Sequence, residues 1–61
     1  MTLDEATDEL YGADLDAFVA ERTRLARELR GSGDGEAAEQ LAKLKKPTVA
    51  AWALNQLARR Q

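Results

Sequence analysis

An all-α fold, a small bundle of three to four helices with short loops, follows from three features of this 61-residue sequence. Apolar residues recur at three- and four-residue spacing along most of the chain. Helix start and stop signals cut that pattern into short pieces. The β-branched residues are scattered and never alternate with polar ones, so no strand signal competes.

The first element opens on Thr2-Leu3-Asp4-Glu5, a capping-box pattern in which the Thr2 hydroxyl accepts the Glu5 amide and Glu5 reaches back. Leu3, Ala6, Leu10 and Tyr11 then share one stripe, and Gly12 reads as a left-handed residue just past the helix end. Helix 1 is expected at about residues 3–11. Asp14 is placed to cap helix 2, at about residues 15–30. Along it Leu15, Phe18, Val19, Leu25, Ala26 and Leu29 follow the helical period, with Arg22 interrupting the stripe.

Gly31-Ser32-Gly33-Asp34-Gly35 reads as a turn, and Asp34 can cap the next helix. Its glycines do not make a phosphate loop, because no Lys-Ser/Thr pair comes after them and no strand precedes. Helix 3, at about residues 35–45, carries Ala37, Ala38, Leu41 and Leu44. Pro47 lacks an amide hydrogen and disfavours helical geometry at Lys46, so it separates helix 3 from helix 4.

Helix 4, at about residues 48–61, presents two faces when placed at 100° per residue. Ala50, Ala53, Leu54, Leu57 and Ala58 fall together, and on hydrophobicity this side is expected to pack inward as the most buried surface of the bundle. Trp52 lies opposite, in a mixed stripe with Asn55, Gln56 and Arg59. Trp and Arg among polar groups are the usual material of interface hot spots, so these four residues are the candidate partner-binding surface. The alternative is that helix 1 folds over the stripe, with Leu10 and Tyr11 as neighbours of Trp52.

Composition narrows the function to binding. The chain has no Cys and no His, which removes disulfides, zinc sites and the usual nucleophile–base pairs. Asp4, Glu5, Asp8 and Glu9 match no calcium-loop or di-iron spacing and fit an ordinary acidic first turn. No catalytic residue, metal ligand, cofactor or small-molecule substrate is expected. No run approaches the ~18 apolar residues of a membrane span, and the acidic N-terminus lacks the layout of a secretion signal. A cytoplasmic protein with no membrane attachment is the expectation. So small a core also gains by burying surface against something else, a protein partner or a second copy in a homodimer.

The formal net charge of −2 hides an asymmetry. Asp4, Glu5, Asp8, Glu9, Asp14, Asp16 and Glu21 crowd the first third without a base. Lys43, Lys45, Lys46, Arg59 and Arg60 occupy the last third without an acid. These bases carry a second functional reading, contact with nucleic-acid phosphates. Glu36 to Asn55 resembles a helix-turn-helix, with Thr48-Val49 opening the second helix as in repressors of the lac type. It departs from that pattern at Lys43, where the turn glycine normally stands, and at Ala50 and Ala51, where base-reading polar side chains belong.

Leu10-Tyr11-Gly12, the Glu28–Asp34 stretch ELRGSGD and the Leu44–Arg60 stretch LKKPTVAAWALNQLARR resemble the N-terminal helical region of uncharacterised actinobacterial proteins. The resemblance covers nearly the whole chain, and the Pro47–Asn55 segment is its most specific part. It implies that residues 1–61 form a single helical domain, an N-terminal module excised from a longer helical protein, and it brings no known activity.

The expectation is thus a non-enzymatic module for protein–protein interaction or self-association through helix 4 around Trp52. Nucleic-acid binding by the basic C-terminal half is the alternative.

Overall fold

The computed structural model describes residues 1–60. It is an all-α bundle: α1 spans Leu3–Gly12, α2 Phe18–Gly31, α3 Gly35–Ala42 and α4 Val49–Arg59, with one 3-10 turn at Leu15–Ala17. There is no strand among the described residues.

α1 begins on the expected capping box. The Glu5 amide donates to Thr2 Oγ1 at 3.1 Å and the Thr2 amide to Glu5 Oε1 at 2.9 Å. Its end departs from expectation. Gly12 is the last helical residue, and the chain leaves in extended conformation at Ala13, φ −74° and ψ 159°. No left-handed residue is used there, because the carbonyls at this end find partners from elsewhere in the chain.

The second helix is divided. Residues 15–17 form the 3-10 turn, Asp14 makes no side-chain cap bond, and regular helix begins at Phe18. Phe18 is buried, with its ring centroid 5.7 Å from that of Tyr11 at an interplanar angle of 57°. The tighter turn brings the chain around from α1 and sets this ring in the core.

The α2–α3 connection supplies the positive φ instead. At Gly33 φ is +87°, the single positive value among the described residues. The Gly33 amide bonds Arg30 O at 3.0 Å and the Asp34 amide bonds Leu29 O at 2.9 Å. This is the Schellman pattern, which a residue with a Cβ adopts only with strain. Asp34 also caps α3, its Oδ1 accepting the Ala37 amide at 3.2 Å. One turn therefore ends one helix and starts the next.

α3 closes three residues earlier than expected, at Ala42, and packs principally on α2. The core unites Ala6 and Leu10 of α1, Phe18, Leu25, Ala26 and Leu29 of α2, and Ala37, Ala38 and Leu41 of α3. Leu3, Tyr11 and Leu44 pack at its margin. Arg22, which breaks the apolar stripe of α2, is a tether. Its guanidinium carbon stands 5.9 Å from the Phe18 ring centroid and its Nη1 donates to Leu44 O, holding the segment that leaves α3.

α4 contributes no residue to this core. Thr48 caps it, Oγ1 accepting the Ala51 amide at 3.1 Å, and its main neighbour is α1. The expected inward side is outward. Leu54 is 68% exposed and Leu57 61%, and Ala50, Ala53 and Ala58 are exposed as well. The two faces were separated correctly by the helical period but assigned in reverse. α1, α2 and α3 already close the core, and what α1 still offers α4 is a set of backbone carbonyls. A polar stripe satisfies those carbonyls and an aliphatic one leaves them bare. α4 ends at Arg59 with Arg60 as its cap residue, so the expected continuation to Gln61 lies outside the described residues. No helix among the described residues is long and apolar enough to cross a membrane.

Candidate interaction surface

The four residues singled out around Trp52 come together on the inner side of α4, against the C-terminal half of α1. The Trp52 indole N–H donates to Ala13 O at 2.9 Å. Asn55 Nδ2 and Gln56 Nε2 both donate to Tyr11 O, at 2.9 and 3.0 Å. Arg59 Nη2 donates to Asp8 O at 2.6 Å and pairs with Asp8 Oδ1 at 3.0 Å. In every case a side chain of α4 donates to a backbone oxygen of α1 or of the residue just after it.

The physical reason lies at the end of α1. The last carbonyls of a helix have no intrahelical donor, and the aligned peptide dipoles leave that end negative. α1 has no basic residue in its own last turn. Arg59 supplies the missing cation from another helix. Its guanidinium passes over Gly12, where an added Cβ would stand 3.5 Å from Nη1.

Trp52 and the two amides are half-buried, and a shallow hollow lies on each side of the indole. One is bordered by Asp14, Leu15, Asp16 and Ala17, the other by Tyr11, Pro47, Ala51 and Asn55.

The outer side of α4 has the opposite character. Val49 is 70% exposed, and with Ala50, Ala53, Leu54, Leu57 and Ala58 it forms an unbroken aliphatic stripe along the helix. Three large aliphatic side chains this open on one short helix are uncommon, because contiguous exposed apolar surface usually marks a contact site.

The five basic candidates separate. Arg59 is engaged with Asp8. Lys43, Lys45, Lys46 and Arg60 are exposed and form no ion pair among the described residues. Lys43 caps α3, Lys45 and Lys46 lie on the segment entering α4, and Arg60 caps its far end. The other charge cluster surrounds Arg24, which pairs with Glu9, Glu21 and Glu28 at 2.6–3.0 Å on the exposed surface of α1 and α2. Those carboxylates hold the Arg24 guanidinium pKa above its ordinary value, the hydrogen bonds that Arg24 donates to Glu21 and then to Glu9 contributing most.

Sequence reasoning missed two parts of this arrangement. The Arg22 tether was signalled by a lone charge inside an apolar stripe. The outward turn of Leu54 and Leu57 had no separate signal, since hydrophobicity alone ranks that side as inward. Comparison of the chain with protein-family models, curated proteins and solved structures returned no match.

Proposed function

We propose that this chain is a non-enzymatic protein-interaction module whose docking surface is the outer, aliphatic face of α4. The observation that carries this reading is the exposure of Val49, Leu54 and Leu57 together on one helix. Trp52, Asn55, Gln56 and Arg59 then serve binding indirectly, by fixing the inner side of α4 to α1 so that the aliphatic side faces out. A pre-formed helix face loses little conformational entropy on association, which favours affinity.

The nucleic-acid reading has less support. The outward positions of α4 are aliphatic and offer no donors or acceptors to base edges. Lys43, Lys45, Lys46 and Arg60 remain for phosphates, and such contacts would give a sequence-independent, steeply salt-dependent affinity. A duplex DNA titration at about 50 mM salt separates the two readings.

The direct test is reconstitution. A protein that copurifies with the chain is rebound from pure components to the wild type, to Leu54→Asp and to Arg27→Asp on the exposed side of α2. The reading requires binding to be lost with Leu54→Asp and kept with Arg27→Asp. Binding indifferent to Leu54 would overturn it.

A further inference from the structure

We propose that the partner of the outer α4 face is an acidic amphipathic helix, with an apolar seam bounded at both ends by carboxylates. This rests on the reading of that face as an interface and adds the chemistry of the occupant.

The shape of the face calls for a helix. Ala50, Ala53, Leu54 and Leu57 stand at i, i+3, i+4 and i+7, a straight seam of two turns. Two of the four positions are alanine, which lets a second helix approach closely while Leu54 and Leu57 fill its grooves. An extended peptide would find no unpaired backbone to join, because the described residues contain no sheet edge.

The charges bounding the seam call for acid. Lys45 and Lys46 immediately precede Pro47 and the Thr48 cap and are exposed, so the chain carries two cations into the N-terminal end of α4, where the helix dipole is also positive. Arg60 lies three residues beyond Leu57 and seven beyond Ala53, which continues the same seam into a cation at the other end. From Gln40 to Arg60 the sequence contains no acidic residue. Among the described residues Arg59 is the one base of this region with an acidic partner, and that partner, Asp8, lies on the inner side. The seam is thus an aliphatic strip with positive charge at each end that no acid pairs among the described residues. A partner carrying Glu or Asp at its own seam ends neutralises both.

A second copy fits poorly. Antiparallel pairing of two α4 helices sets Arg60 of each against Lys45 and Lys46 of the other, and parallel pairing sets each cation against itself. The chain's own acidic helix does not substitute, since the apolar residues of α1, Ala6 and Leu10, are buried in the core.

The test is a displayed library of helical peptides about 18 residues long, enough to hold helical structure. The seam positions vary among Ala, Leu, Ile and Val, and the seam ends vary among Glu, Gln and Lys. Selection uses the wild-type chain at about 50 mM salt, and the enriched peptides are titrated individually. The expected binders carry Glu at both ends, weaken about 10-fold or more when those positions become Lys, and lose their preference when Lys45, Lys46 and Arg60 are changed to Gln. Leu54→Asp should weaken them at least about 30-fold while leaving the melting curve in place. Leu54-dependent binders with neutral or basic ends would overturn the acidic partner and leave the interface standing. Failure to enrich any Leu54-dependent binder would overturn both. A Leu54-dependent dimer of the chain by sedimentation would replace the acidic helix with a second copy.

Discussion

Trp52 reaches back across 39 residues of chain to give its indole N–H to the Ala13 carbonyl at 2.9 Å. The bond joins the first turn of α4 to the residue just past the end of α1. Trp52→Phe keeps an aromatic ring but removes the indole N–H with part of the bicycle, leaving a half-buried carbonyl short of its partner. The expected loss is about 0.5–1.5 kcal/mol, a drop in melting temperature of about 4–8 °C per kcal/mol for a domain of this size. A urea or thermal melt followed by circular dichroism checks it, and an unchanged midpoint would remove the bond from the account.

Asn55 and Gln56 donate to one oxygen, that of Tyr11. A carbonyl has two lone pairs, so either amide alone still satisfies it. Asn55→Ala and Gln56→Ala should each cost little, and the double substitution should cost more than their sum by about 0.5–1 kcal/mol. A double-mutant cycle in urea measures the coupling, and strict additivity would mean that the two amides act independently.

Leu54 and Leu41 are the same residue type in opposite settings. Leu41 is fully buried among α1, α2 and α3, and Leu54 is 68% exposed. Leu41→Ala should cost about 2–5 kcal/mol and unfold much of the population. Leu54→Ala should change stability by no more than about 0.5 kcal/mol. Comparable losses at both positions would show that α4 turns its aliphatic side inward.

How much of this was legible beforehand depends on which interactions are local. The Thr2–Glu5 box and the Asp34 cap each connect residues three apart, and the side-chain types alone announce them, whereas Thr48, read as the first helical residue, is instead the cap of α4. The apolar periods of α2 and α3 likewise identified Leu25, Leu29 and Leu41 as core. Gly12 was misread because a glycine after a helical stripe suggests a left-handed end, whereas here side chains from 39 or more residues away serve the end of α1. The facing of α4 was misread for the same reason. Its acceptors are backbone oxygens, which no residue type advertises.

The Glu5 carboxylate accepts the Thr2 amide and lies beside the Thr2 hydroxyl, and these two groups hold its pKa below the ordinary 4.5. A carboxyl lowered on folding stabilises the folded state above its unfolded pKa. That contribution fades as pH falls from about 4.5 through the lower folded value. The melting temperature should therefore decline across that acid range, and Glu5→Gln should flatten the decline while leaving the curve above pH 6 nearly parallel to wild type. An acid limb of equal depth in the variant would assign the decline to other carboxylates.

The contact between α4 and α1 makes unequal demands on its two sides. Every acceptor in the Trp52, Asn55 and Gln56 bonds is a main-chain oxygen, which all twenty amino acids supply alike. Ala13 can change to Ser or Gln without altering what Trp52 binds, and the Tyr11 oxygen would survive replacement of its ring, though the packing on Phe18 would not. The donors on α4 have less freedom: one of Asn55 and Gln56 can be lost while the other still serves Tyr11, but losing both leaves that oxygen bare, and few side chains present an N–H with the reach and direction of Trp52. Mutational tolerance should thus be lopsided, with the helix that gives the hydrogen bonds the more narrowly specified and the helix end that receives them open to drift.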